Sequence, residues 1–447
     1  MSLVKNSLHT VVFQSANQVI GVLSGILLTR LIGPEGKGIM SIFTANIGFL
    51  STLLLFNLNK GLIYYGAEDI KVRVKIFNFI FFFIVGSNIL IYIFLFLSNV
   101  FNLAFLTTIL PIGYTGALYI GYLSFQILAT CTFMLFIGFY QASEKFKRNN
   151  AIDTTTASLG LIAYAVLYAL ALIYKNRYPL YVFFICNMVI SFIQLAIWLI
   201  VTFKTFGNIF AFTFIDSDLL KKIVLYSSVY FMGGILLFLI HRLDFWFVSY
   251  YRGYEQLGYY SLATNLSSFV FIITGSLFTV LFPRLSKMNS NAERMEIVAT
   301  ISRIIIPTTL FICLAIVSVA WIFIPLLYGH RFANSVASFN ILLIGAFMVG
   351  IGSIISAYFS GSGIIKYNLF STFLGVAVTV PLDFWLIPRY GIIGSSIATT
   401  LSFSVLTISQ FIIFYKIKGK LDFILITKND IKLIKELVSN IFKRTNV

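Results

Sequence analysis

Apolar runs of about 20 residues or more recur along the chain, separated by short polar connections. Each is long enough to cross the roughly 30 Å hydrocarbon core of a bilayer as an α-helix. In lipid every backbone N–H and C=O must be satisfied internally, which leaves helices and closed barrels as the spanning structures. Barrel strands are about 10 residues long and alternate in polarity. The run 76–97 shows no such alternation. The chain therefore reads as an all-α integral membrane protein. Charged residues make up 11% of it, against roughly 25% in a soluble domain. A soluble enzyme is excluded. Cys131, Cys186 and Cys313 stand alone inside apolar runs and read as small buried apolar groups, with neither metal-ligand nor disulfide spacing.

Twelve candidate spans follow: 9–32, 38–58, 76–98, 117–141, 153–174, 180–203, 223–250, 258–282, 303–327, 336–360, 367–388 and 392–415. The first is too long for a cleaved signal peptide and lacks a small-residue cleavage site after it. Basic residues concentrate on alternate connections. Twenty-four Lys and Arg, among them Lys60, Lys71, Arg73, Lys75, Lys145, Lys147, Arg148, Lys221 and Lys222, fall on one face. Six fall on the other: Lys37, Lys175, Arg177, Arg252, Arg331 and Arg389. By the positive-inside rule both termini are expected in the cytoplasm. The net charge of +17 then reports orientation, and nucleic acid is not expected as a partner. After Tyr415, Ile431, Ile434, Leu437 and Ile441 recur at helical spacing between lysines, which predicts an amphipathic helix on the inner leaflet.

The chain also repeats itself. Gly33, Glu35, Gly38, Ser41 and Thr44 correspond to Gly253, Glu255, Gly258, Ser261 and Thr264 at one offset of 220 residues. Ser143, Lys147 and Asn149 echo Ser362, Lys366 and Asn368 at nearly the same offset. We therefore expect two six-helix halves, 1–210 and 211–415, followed by a basic tail, 416–447. An even number of spans per repeat gives both halves one orientation, related by a pseudo-two-fold along the membrane normal with a central cavity between them. The G-x-E-x-x-G segments are expected to be tight outer turns, with Glu35 and Glu255 accepting from the N–H groups that open the next helix.

Leu28-Thr29-Arg30-Leu31-Ile32-Gly33-Pro34-Glu35-Gly36-Lys37-Gly38 resembles the first outer turn of the bacterial polysaccharide or oligosaccharide (O-antigen-type) flippases. These belong to the multidrug/oligosaccharidyl-lipid/polysaccharide exporter superfamily. Asp244 followed by Gly258-Tyr259-Tyr260-Ser261 resembles the equivalent part of the second half, and the segment from Pro388 to Thr399 resembles the turn between spans eleven and twelve. Asp383 stands where that family often has Asn. The resemblance implies translocation of an undecaprenyl-pyrophosphate-linked oligosaccharide from the inner to the outer leaflet of the bacterial cytoplasmic membrane. It implies alternating access driven by an ion gradient or membrane potential. It also implies membrane lipids, a polysaccharide polymerase and a chain-length regulator as partners. There is no phosphate-cradling G-x-x-x-x-G-K-[ST] loop, in keeping with a process independent of ATP. The alternatives are a multidrug-type cation exporter and a lipid II flippase. A polymerase or glycosyltransferase would carry a large outer loop or cytoplasmic segment, so the protein is not expected to be an enzyme or to need a cofactor or metal.

Charges inside spans mark candidate sites, because each costs about 2.5–3.5 kcal/mol at mid-membrane on insertion scales. Arg242 is a candidate ligand of the pyrophosphate, or an internal partner of Asp244. Arg30 in span one is either a second headgroup ligand or a side chain snorkelling to the interface. Lys60, after Asn57-Leu58-Asn59, stands where a headgroup enters from the cytoplasm. Gln14, Asn17 and Gln18 fall on one helix face and suit sugar hydroxyls; Asn46 and Gln126 add amides. Asp244, His241 and Asp383 are candidates for ion coupling, with Arg389 the alternative partner of Asp383.

Overall fold

In the computed structural model, residues 2–103, 106–175, 178–210, 215–271, 281, 285, 288 and 290–418 are described, residues 2–12, 14, 15, 108 and 146 by their backbone alone. The tail expected to form an amphipathic helix and the Gln14 side chain lie outside this set. Among the described residues there is helix and no strand. The helices are α1 (Ser2–Leu55), α2 (Leu58–Tyr65), α3 (Ile70–Val100), α4 (Leu106–Ile109), α5 (Ala117–Ala142), α6 (Phe146–Tyr174), α7 (Leu180–Phe206), α8 (Ser217–Ser267), α9 (Asn291–Tyr328), α10 (Ser335–Gly361) and α11 (Lys366–Lys418). Nine of them are long and apolar enough to cross a membrane.

Three of these helices exceed 50 residues, and each is broken at a glycine: Gly33 in α1, Gly253 in α8 and Gly391 in α11. All three glycines have positive φ, at 69°, 80° and 59°. A side chain there would meet its own backbone, which is why these turns call for glycine. Pro34 follows Gly33 at the opening position of the second arm of α1, where a missing N–H is no loss. The expected capping by Glu255 takes another form: its Oε1 accepts from the Tyr259 hydroxyl at 2.6 Å, one helical turn on.

The chain divides into two compact units, Met1–Phe238 and Leu239–Val447. In the first, α5 packs against α1, α2, α3, α6 and α7. Its buried residues Ile120, Leu123, Ile127, Cys131, Leu135 and Phe139 recur every three or four positions, the spacing of one helix face. Phe43 meets Tyr122 and Phe184 edge-on, and Phe136 stacks on Trp198 with centroids 5.5 Å apart. In the second unit α10 packs between α9 and α11. A Cβ at Gly345 would lie 3.0 Å from the Thr400 Cα, so glycine lets two backbones approach. The outer faces are as apolar as the cores. On α9, Leu310, Phe311, Leu314, Trp321, Ile322 and Leu326 are exposed. Patches of this extent on a soluble monomer would drive aggregation, and here they fit a hydrocarbon surround. This is a multi-pass membrane protein. All three cysteines are free thiols.

Candidate functional site

The second unit holds a polar cluster inside this apolar framework, built on the hairpins of α8 and α11. Asp244 lies on the first arm of α8 and Tyr260 on the second. The Tyr260 hydroxyl donates to Asp244 Oδ2 across sixteen residues. A straight helix would separate such residues by about 24 Å, so the chain has folded back at Gly253. Thr399, on the second arm of α11, donates its hydroxyl to the same Oδ2 at 3.1 Å, and the Tyr260 and Thr399 oxygens are 2.9 Å apart. Asp383, on the first arm of α11, is 0% exposed, and neither carboxylate oxygen has a hydrogen-bond partner among the described residues. Asp383 and Asp244 interact electrostatically.

Two carboxylates, one of them without a hydrogen bond, are costly to bury together. Arg242 acts on Asp244 electrostatically and offsets part of that cost, and a proton or a small cation would offset the rest. The surrounding donors are carboxylate and hydroxyl oxygens, which suit a hard monovalent cation or a proton better than a soft transition metal. Among the described residues no group of three or more His, Cys, Asp or Glu is placed to hold a metal.

The other expected pairings form no ion-pair contact among the described residues. Arg242 acts on Asp244 electrostatically but makes no ion-pair contact with it; its guanidinium carbon lies 4.7 Å above the Phe245 ring centroid. Residues two apart on a helix do not face each other, so this outcome follows from the spacing. Arg389 lies over Trp385 at 4.9 Å and leaves Asp383 alone. His241 sits among aromatic rings, 5.2 Å from Phe403 and 6.0 Å from Phe271.

In the first unit Arg30 is exposed and donates to the Tyr168 hydroxyl at 3.3 Å. Asn17 is partly buried, with a buried Oδ1 that has no hydrogen-bond partner among the described residues, and Gln18 is exposed. Lys60 is exposed on α2. That helix starts afresh after two consecutive residues in the left-handed region, Phe56 and Asn57, so the span expected to reach 58 ends at Leu55. The amides of Asn46 and Gln126 serve internal packing: Asn46 donates to the Ile109 carbonyl, and Gln126 accepts from Ser191 at 3.1 Å.

Tyr260 and Thr399 were absent from the sequence candidates. A signal for them exists. Residues equidistant from a hairpin turn stand opposite each other, and Asp244 and Tyr260 flank Arg252 at equal distance. Asp383 and Thr399 flank Gly391 in the same way.

The sequence model of the family described as polysaccharide biosynthesis protein matches residues 3–289. The chain belongs to that family. A stretch of 187 residues is 23% identical to the probable low-salt glycan biosynthesis flippase Agl15 of Haloferax volcanii, covering 41% of this chain and 39% of that protein. The match therefore spans less than half of that curated relative. Among solved structures, the lipid II flippase MurJ in an inward closed conformation superposes with a TM-score of 0.67 at 15% identity, over 91% of this chain and 90% of that one. An inward-facing multidrug resistance transporter of the MATE family superposes at 0.62 with 16% identity, over 90% and 94%. A transporter from Pyrococcus furiosus superposes at 0.58 with 15% identity, over 93% and 95%. The chain shares its fold with these solved structures.

Proposed function

We propose that this protein is a flippase for lipid-linked oligosaccharides, carrying undecaprenyl-pyrophosphate-linked units from the inner to the outer leaflet of a bacterial cytoplasmic membrane. The observation that carries the mechanism is the buried Asp383, without a hydrogen bond and acted on by Asp244, whose carboxylate accepts from Tyr260 and Thr399. Binding of a proton or monovalent cation there, and its release, couples an ion gradient to alternating access. Membership of the polysaccharide biosynthesis family supports a glycan cargo. The flippase names of Agl15 and MurJ support translocation as the activity. The protein is a transporter and not an enzyme. The polymerase and chain-length regulator that build the surface polymer are its partners.

Arg242 is the proposed pyrophosphate ligand of the second unit. Asp244 acts on its guanidinium electrostatically without an ion-pair contact, and an aromatic ring backs it. The guanidinium thus retains donors for charge-assisted hydrogen bonds to phosphate oxygens. Arg30 and Lys60 serve the headgroup nearer the outer and inner surfaces, and Gln14, Asn17 and Gln18 hydrogen-bond sugar hydroxyls. His241, within its aromatic surroundings, is a secondary proton-coupling group. Arg242→Ala is expected to abolish surface-glycan export at normal membrane abundance. Immunoblots of membranes together with gels of surface glycan check this, and normal export by the variant would refute the assignment.

An unpaired intramembrane acid is also what an exporter of organic cations would use. Asp383 is 0% exposed, however, with its neighbours packed around it. That surround suits a small ion and not a bulky amphiphile. The orientation is tested separately. Reporter fusions after Lys75, Arg148 and Lys222 should all read cytoplasmic, and one periplasmic reading overturns the topology.

A further inference from the structure

Three basic side chains gather in the first unit where α3, α5, α6 and α7 begin or end. Arg73 is 7% exposed. Its Nε donates to the Gly66 carbonyl at 2.6 Å, one Nη to Ser143 Oγ at 2.6 Å and the other to the Ala67 carbonyl at 2.9 Å. These bonds tie the α2–α3 turn to the end of α5. Lys145, in the connection from α5 to α6, places its ammonium 4.1 Å from the Phe206 ring centroid. Arg148 donates to the Thr205 hydroxyl. Burial, followed by the charges of Arg148 and Arg73, holds the Lys145 ammonium below its ordinary value.

The contacts of these cations are all to neutral groups. Among the described residues, none of the three forms an ion pair. Asp69 interacts with Arg73 electrostatically, but its side chain accepts from the backbone N–H of Lys71. The exposed Glu144 makes no ion pair with Lys145. The N-terminus of α6 adds its own partial positive charge beside Lys145. The fold thus holds three like charges together without a contacting counter-charge, an unfavourable arrangement unless an anion completes it. These residues sit on connections that the basic-residue distribution assigns to the cytoplasm, where basic pockets between membrane helices take anionic headgroups.

We propose that Lys145 and Arg148, positioned over the anchored Arg73, bind the phosphate of an anionic phospholipid headgroup in the inner leaflet. The headgroup would sit between the α5–α6 connection and the end of α7, and its phosphate would supply the missing negative charge. Arg73 acts as a positioning residue, because each of its three nitrogens donates to the turn or to Ser143.

The test uses the purified full chain in neutral detergent, titrated with phosphatidylglycerol, phosphatidylcholine or inorganic phosphate, with bound lipid counted by native mass spectrometry. The expected result is selective retention of phosphatidylglycerol. Retention should weaken about fivefold in Lys145→Gln, about fivefold in Arg148→Gln and multiplicatively in the double variant, the effect of one basic residue near an anionic surface. Lys71→Gln/Lys75→Gln, which removes two exposed charges outside the cluster, should retain the lipid as the wild type does. Thermal unfolding in the same detergent verifies that each variant is folded. Equal retention by the double variant overturns the proposal, as does equal retention of phosphatidylcholine. Displacement of phosphatidylglycerol by a prenyl pyrophosphate at equal concentration also overturns it, since the cluster would then serve the cargo. The assay involves no transport, so it succeeds or fails independently of the flippase reading.

Discussion

Asp383→Asn should stop transport while leaving the protein folded in the membrane, and Asp383→Leu should stop it while raising stability in buffer that lacks the coupling ion. The reasoning starts from the cost of the native residue. Both Asp383 oxygens are buried without a hydrogen bond, and a second carboxylate, Asp244, acts on them. Replacing such buried charges with apolar groups of similar volume is often neutral or stabilising, by about 1–4 kcal/mol. A side chain that only held the bundle together would show the opposite sign. The wild type should gain thermal stability when the coupling ion is supplied, about 2.7 kcal/mol at a hundredfold excess over Kd. The Asp383 variants should not. Thermal unfolding in detergent across sodium concentration and pH, alongside surface-glycan complementation, checks both halves. A clear loss of stability in Asp383→Leu would sink the ion-site reading. Asp244 is expected to differ, because its Oδ2 accepts from two buried hydroxyls. Asp244→Asn keeps an acceptor for Tyr260 and Thr399, whereas Asp244→Ala strands them, at about 1–3 kcal/mol for an unsatisfied buried group.

The second large effect is expected at Gly394, a position with no charge. The two arms of α11 approach so closely that a Cβ at Gly394 would lie 2.3 Å from the Leu386 carbonyl oxygen and 2.7 Å from its carbonyl carbon. Both are backbone atoms and cannot rotate aside. Gly394→Ala must push the arms of the hairpin apart, at a cost of about 1–3 kcal/mol for overpacking and more if the turn resists. Thr399 lies little more than one helical turn beyond, so the same movement draws its hydroxyl away from Asp244. The variant should therefore lose both thermal stability and ion-dependent stabilisation. Gly391→Ala, by comparison, meets mainly a backbone penalty, since φ 59° with ψ −136° is sparsely populated by L residues, at about 1–3 kcal/mol. Parallel melting curves in detergent would separate the two. An unchanged curve for Gly394→Ala would show that the arms are not in backbone contact.

Much of the architecture was legible without coordinates because its causes are local. A run such as 76–97 has no stable state in water and one stable state in lipid. The repeated Gly33 and Gly253 mark turns because only glycine enters positive φ freely. Part of the site was legible as well: Asp244 and Asp383 stand out as carboxylates inside apolar runs, where each needs a reason to exist. The pairings were harder to read. Arg242 and Asp244 act on each other electrostatically but make no ion-pair contact, and Arg389, six residues from Asp383, lies over Trp385. The amides of Asn46 and Gln126, plausible sugar ligands by type, are consumed by a helix-end carbonyl and a serine.

The sequence by itself determined that this chain spans a membrane as helices, that two of its turns rest on glycine, and that a few charged residues lie inside apolar spans. Hydropathy, positive φ and the cost of burying charge all act over a few residues, so they leave a mark in the one-dimensional chain. Which charges meet was decided by tertiary structure alone. The packing of two hairpins lets Asp244 and Asp383 act on each other electrostatically, with Tyr260 and Thr399 as hydroxyl partners of Asp244. The direction of a side chain around its helix, and the helix it then faces, depend on the packing of the whole unit, and no local pattern encodes them.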